Sequence, residues 1–270
     1  NYPARMSGTT SGMLGGRIAV VTGASAGIGE AIARDLHGHG ASVVINARRA
    51  EKLAELAKSL GSRVATVAGD AAEDSTIAAM LDTARTTFGG GTREADLVVI
   101  NAGRGLGGTV ITSDISQWDE MIRTNVLGAA KLIRAAGQRL IKEQEGKTTM
   151  QMLERARDII VLGSTVGRHV SPFSSMYGGT KFNVHGMVEG VRREIGPKGI
   201  RVSLIEPGFV VSEFQGVAGY DDAWLKGVWE RIGPVLKPED VARTVSFIAG
   251  QPPQVHVNDV MIRPTRQDYP

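Results

Sequence analysis

Residues 17–29 read Arg-Ile-Ala-Val-Val-Thr-Gly-Ala-Ser-Ala-Gly-Ile-Gly. A compact apolar strand, Arg17–Thr22, runs into a glycine turn and then a helical stretch from about Ile28 to His39, with Gly40 as its stop. In such a turn Gly23 permits a tight reversal and Gly27 lets the backbone approach a pyrophosphate. Gly29 lets helix and strand pack closely. The amides at the helix start, aided by the helix dipole, face a dianion. Three spaced glycines are a weak signal in a chain that contains 35. Their strand–turn–helix context makes this a dinucleotide-binding turn, with Ser25, Ala26 and Ile28 completing its contact surface.

Outward from that turn, short apolar runs alternate with helical patterns, the signature of βαβ units on a parallel sheet. Strands are expected at Ser42–Ala47, Arg63–Ala68, Asp96–Ile100, Asp158–Leu162, Arg201–Glu206 and Val257–Ile262. Helices are expected at Glu51–Leu60, after Asp74 or Ser75, at Trp118–Leu140, at Ser174–Ile195 and at Pro238–Ala249. The expected fold is α/β: a single doubly wound domain over 14–265, with seven mostly parallel strands and helices on both faces. Residues 1–13 and 266–270 are expected as tails. Ile141–Arg157 is polar and reads as an extended surface connection.

The end of the second strand chooses the cofactor. An NAD site usually places a carboxylate there for the ribose 2′-hydroxyl. This chain has Ala47, followed by Arg48 and Arg49. No carboxylate repels a 2′-phosphate, and a guanidinium can bind one bidentately. NADP(H) is the expected cofactor.

Further motifs follow in order. Gly69-Asp70-Ala71 comes after the third strand and Asn101-Ala102-Gly103 after the fourth. Asn125 lies in Thr124-Asn125-Val126, Ser164 follows the fifth strand, and Tyr177-Gly178-Gly179-Thr180-Lys181 opens a helix. Pro207-Gly208-Phe209-Val210-Val211-Ser212 follows the sixth strand. With the Thr22–Gly29 turn, these resemble the short-chain dehydrogenase/reductase family from about Leu14 to Pro264. Two positions depart from its pattern: Ile100 stands where the family has Asn, and Ser212 where it has Thr. The resemblance implies that Asp70, with Ala71 beside it, contacts adenine and that Asn101, Ala102 and Gly103 border the cofactor. It implies further that Lys181 holds the nicotinamide ribose, that Asn125 keeps a water in a proton relay, and that Pro207, Gly208, Val210 and Ser212 fix the carboxamide or diphosphate. A dimer or tetramer built on the Trp118–Leu140 and Ser174–Ile195 helices is implied too.

The chemistry is also intelligible residue by residue. Tyr177 and Lys181 are four residues apart on one helix face. A free phenol titrates near pH 10, too high for acid–base work at neutral pH, and a nearby ammonium favours the phenolate. Ser164 can hydrogen-bond a substrate carbonyl as charge develops on it. Together these point to an oxidoreductase moving hydride between nicotinamide C4 and a small carbonyl or alcohol substrate. The alternative is a catalytically silent NADP-binding sensor or scaffold of the same fold. The Ala47-Arg48-Arg49 segment and the Val260–Thr265 ending resemble members that reduce small aldehydes or oxidise 3-hydroxy acids.

Other classes find little support. There are no cysteines, which removes disulfides and thiolate chemistry and suits a reducing cytoplasm. The five histidines show no paired ligand spacing, so no metal is expected; His169 reads as a solvent-facing loop residue and His185 as packing. The net charge of +3 carries no basic run for nucleic acid, and no apolar run is long enough to span a membrane. Phe209–Leu236 combines Phe214, Tyr220, Trp224 and Trp229 with glycines, as a substrate lid would.

Overall fold

The computed structural model describes residues 12–169, 171–211, 216, 218, 219 and 222–269. The expected tail over 1–11 therefore lies outside the described residues. Seven parallel strands form one sheet in the order β3-β2-β1-β4-β5-β6-β7. They are β1 Ile18–Thr22, β2 Ser42–Ala47, β3 Val64–Ala68, β4 Leu97–Ile100, β5 Asp158–Leu162, β6 Arg201–Pro207 and β7 Asp259–Ile262. The helices are α1 Gly27–Gly38, α2 Ala50–Leu60, α3 Asp74–Thr83, α4 Trp118–Ile122, α5 Ala129–Gln144, α6 Thr149–Met152, α7 Ser175–Ile195, α8 Asp222–Ile232 and α9 Pro238–Ala249. Strand order reverses between β1 and β4, which opens a crevice at the carboxyl ends of those strands.

Both faces of the sheet are covered, which is why strands such as β1, Ile-Ala-Val-Val-Thr, are buried throughout instead of alternating. Val21, Ile45 and Val99 meet Ile32, Leu36, Val241 and Val245 of α1 and α9 on one face. Val20, Val98 and Val161 meet Leu132, Ile133, Val184 and Val188 of α5 and α7 on the other. Each such side chain contributes roughly 1.5–3 kcal/mol by leaving water.

The opposite, amino-terminal edge of the sheet is held by buried charge. Arg17 donates to Asp96 at 2.8 Å and to Asp158 at 2.7 Å, and Arg201 donates to both oxygens of Asp158 at 2.6 and 2.8 Å. The four residues sit at the starts of β1, β4, β5 and β6. Arg17 is thus a structural ion-pair residue just before β1, and Asp96 likewise precedes β4.

Three expectations are corrected. The helix expected over Trp118–Leu140 is broken, with a π turn at Arg123–Gly128 between α4 and α5. Asn125 in that turn is bonded through its side chain to both backbone groups of Arg104, which favours the wider turn. Ile141–Arg157 is not an extended surface connection. α5 runs on to Gln144, a Thr148/Gln151 capping box starts α6, and Gln144 and Arg157 are buried. Its charges are used internally: Glu143 pairs with Arg155 and Arg157. Of the residues expected as a carboxyl-terminal tail, 266–269 are described and are tied down, with Arg266 donating to the Gly233 carbonyl oxygen at 2.9 Å and Gln267 buried and accepting from the Phe209 amide at 3.0 Å.

Candidate active site

At the carboxyl end of the sheet lies a cleft of about 530 Å³. Its walls bring together residues far apart in sequence: the glycine turn, the ends of β2 to β6, and α7. Gly23, Ser25, Ala26, Gly27, Ile28, Gly29, Arg48, Arg49, Asp70, Ala71, Asn101, Ala102 and Gly103 all border it, as do Ser164, Tyr177, Lys181, Pro207, Gly208 and Val210. Two expected residues stand apart. Asn125 is buried behind the Arg104 backbone, and Ser212 lies outside the described residues, as do Phe214, Tyr220 and the side chain of Trp224.

Two positions of the turn require glycine. Gly27 has φ +57°, in the left-handed region that favours glycine, and it starts α1. A Cβ on Gly29 would lie 2.2 Å from the Gly23 carbonyl oxygen, so any side chain there would push helix from strand. Asn101 stitches the turn to β4: its side-chain nitrogen donates to the Thr22 oxygen at 3.0 Å and the Gly23 oxygen at 3.3 Å. At the β2 end, Arg49 donates to Ser25 Oγ at 2.9 and 3.2 Å, which sets a guanidinium and a hydroxyl side by side. Partial burial pushes the Asp70 carboxyl up, but the Ala72 amide and Arg123 outweigh it and hold the group below the usual carboxylate range.

Across the cleft, Ser164 adopts an extended conformation before a short 3₁₀ turn, Thr165–Gly167, and its Oγ accepts from the Val166 amide at 3.3 Å. Under this loop the His185 ring fills the space that Cβ atoms on Gly163 and Gly167 would occupy, at 2.5 and 2.4 Å from Nε2. The Ser164 amide donates to that nitrogen at 3.4 Å. Burial, with Lys181 and Arg168 nearby, pushes the His185 pKa down to about 4, so the ring is neutral and free to accept. His185 does pack as expected, but it packs against the backbone that carries Ser164; His169 is exposed.

Tyr177 and Lys181 share the buried face of α7, with the ammonium 5.8 Å from the phenol ring centroid. Lys181 donates to the Leu162 carbonyl oxygen at 2.8 Å. Burial pushes its pKa down to about 8, which leaves an ammonium at neutral pH with hydrogen-bonding capacity to spare. Asn125 bonds Thr180 Oγ1 at 3.1 Å, tying the π turn to α7 between Tyr177 and Lys181.

Arg104, Glu120 and Thr124, which the sequence did not single out for the site, also line the cleft, as does Phe209, the first residue of the expected lid. Arg104 directly follows Asn101-Ala102-Gly103, so a charge beside a motif was the available signal. Glu120 had none, because only the fold brings α4 to the mouth. Phe209 meets Trp229 of α8 edge-on, with ring centroids 5.8 Å apart. Among the described residues no cluster of three His, Asp or Glu could hold a metal ion, and no helix is long and apolar enough to cross a membrane.

Comparison with known proteins agrees with this geometry. The short chain dehydrogenase family model matches residues 17–222. An uncharacterised oxidoreductase of Staphylococcus aureus (strain MW2) is 32% identical over 249 residues, 92% of this chain and 97% of the relative. A serine dehydrogenase in a closed form complexed with NADP+ superposes with a TM-score of 0.81 at 28% identity, covering 93% of this chain and 96% of its own. An alcohol dehydrogenase from the archaeon Thermococcus sibiricus, complexed with 5-hydroxy-NADP, has a TM-score of 0.76 at 25% identity, over 94% and 99% of the two chains. The chain belongs to the short-chain dehydrogenase family of oxidoreductases.

Proposed function

We propose that the chain is an NADP(H)-dependent oxidoreductase interconverting a small alcohol and its carbonyl, with Tyr177 as general acid/base assisted by Lys181, Ser164 and Asn125. The observation that carries this reading is that Tyr177, Lys181 and Ser164 line one cleft with the Gly23–Gly29 turn and Arg48. The cleft fits a dinucleotide: Gly27, at φ +57°, brings bare backbone to its wall at the start of α1, and Lys181 is a buried ammonium with a single backbone acceptor among the described residues. Arg48 and Arg49 would take the 2′-phosphate and Lys181 the nicotinamide ribose. The bound cofactor supplies or accepts hydride at nicotinamide C4.

The chain's own groups do the rest. Ser164 donates to the substrate oxygen as negative charge builds there, and Tyr177 passes that oxygen a proton, or removes one in the alcohol-to-carbonyl direction. The Lys181 ammonium stabilises the phenolate that remains. Asn125 holds the π turn against α7 so that Tyr177 and Lys181 keep their facing positions. Phe209, edge-on to Trp229 of α8, would form part of a cover that keeps water from the cleft. The serine dehydrogenase likeness, with the carboxyl-terminal resemblance, directs attention to small 3-hydroxy acids such as serine.

The test is titration of the purified protein with NADPH and NADH by nicotinamide fluorescence, followed by turnover of 3-hydroxy acids, aldehydes and ketones. NADPH bound more tightly, with turnover lost in Tyr177→Phe by about 10²-fold or more, supports the reading. NADPH binding without turnover of any of these would favour a silent sensor.

A further inference from the structure

Glu120 reaches across the cleft. Arg48 lies just past β2 on one side of the crevice, and Arg104 lies in the loop after β4 on the other. Arg48 Nη1 donates to Glu120 Oε1 at 3.1 Å, and Arg104 Nη1 donates to Glu120 Oε2. Gln117 Oε1 takes the second Arg104 nitrogen at 2.5 Å. Because β2 and β4 flank β1 in the sheet, this Arg48–Glu120–Arg104 strap passes over the switch-point crevice. All three residues line the same cleft as Asp70 and Thr124.

We propose that Glu120 is a specificity-determining residue, a carboxylate that competes with the 2′-phosphate of the cofactor for Arg48. The inference rests on the NADP(H) reading above and adds to it a group whose effect opposes that of Arg48. The strap is built to exchange. The Arg48 side chain is 71% exposed and that of Glu120 43%, so their ion pair is weak and solvated. A phosphate offers Arg48 more charge and bidentate geometry, and it wins. Arg104 is only 18% exposed and is also held by Gln117, so it keeps Glu120 in place after Arg48 has left. The displaced carboxylate then faces a like charge. A cofactor without the phosphate draws nothing from Arg48 and meets no such repulsion. Glu120 therefore weakens binding of the phosphorylated cofactor selectively and moderates a preference that Arg48 creates.

The experiment is a set of NADPH and NADH dissociation constants, read by nicotinamide fluorescence, for wild type, Glu120→Gln, Arg48→Ala and the double variant. Circular dichroism of each variant establishes folding. Glu120→Gln is expected to bind NADPH about three- to tenfold more tightly and NADH within about twofold of wild type. The gain should shrink in the Arg48→Ala background, where only the repulsion between Glu120 and the 2′-phosphate is left to relieve. Unchanged or weaker NADPH binding by Glu120→Gln, in a protein that still prefers NADPH, would overturn the competition and leave the cofactor reading standing. Equal gains for both cofactors would make the strap a steric bar and overturn its role in specificity. A wild-type protein that binds NADH as tightly as NADPH, or binds neither, would overturn both readings.

Discussion

The Lys181 ammonium donates to the carbonyl oxygen of Leu162, 2.8 Å away at the last position of β5 and two residues before Ser164. One hydrogen bond thus ties α7 to the loop that presents the serine, and it fixes a cation where burial opposes it.

That cation has a measurable cost. Burial lowers the Lys181 pKa from 10.5 to about 8, so the unfolded chain holds this proton more tightly than the folded one. The destabilisation is present in full below pH 8 and fades as pH rises from there to 10.5. Lys181→Met should gain on the order of 1–3 kcal/mol of stability at pH 7, read by urea unfolding, while turnover falls by about 10²-fold or more. In the wild type, kcat/KM for carbonyl reduction should decline above about pH 8 as the ammonium is lost. A variant that is less stable at pH 7 would refute the assignment of a strained buried cation.

Gly29→Ala should separate binding from the acid–base groups. Its Cβ would lie 2.2 Å from the Gly23 carbonyl oxygen, and the turn must shift to admit it. We expect a loss of about 1–3 kcal/mol in stability and at least a tenfold loss of NADPH affinity, by calorimetry and fluorescence titration. Retained affinity would show that the turn does not cradle the cofactor.

His185 governs part of the acid limb. With its pKa depressed to about 4, folded protein binds fewer protons than unfolded protein between pH 4 and 6.5, and stability falls as pH drops through that window. His185→Gln should flatten the fall in Tm from pH 6.5 to pH 4. His256, also pushed down by burial, keeps a residual slope in the variant. An unchanged slope would place the effect elsewhere.

Asp158→Ala would leave Arg17 and Arg201 short of their shared carboxylate in a buried site. Removing one partner of such a network costs about 3–5 kcal/mol. Urea unfolding should report that loss, while NADPH affinity at low temperature stays close to wild type, because the network lies at the far edge of the sheet from the cleft.

Much of this architecture was legible because it follows local rules. The glycine turn, the apolar strands and the Tyr177/Lys181 spacing each show themselves within about ten residues. What escaped depends on long-range contacts. Nothing local in residues 123–128 announces a π turn, since its cause is the Asn125 side chain meeting the Arg104 backbone. The charges of 143–157 look solvated until Glu143 is seen to pair with both Arg155 and Arg157. The place of Glu120 at the cleft follows from α4 lying within reach of Arg48 and Arg104, which no stretch of sequence encodes on its own.

The Arg17–Asp96–Asp158–Arg201 network also bears on how the chain finds its strand pairing. Its members are separated by up to 141 residues along a single hydrogen bond, and each stands at the start of a different strand. A strand that slides by one residue turns its side chains to the opposite face. Sliding β5 by one position would carry Asp158 away from both arginines, leaving Asp158 and Arg201 without their ion pair and Arg17 with Asp96 alone. The network therefore acts as an alignment key: it completes only when four strands stop at the correct offset, and it penalises every near-miss sheet that apolar side chains alone would tolerate.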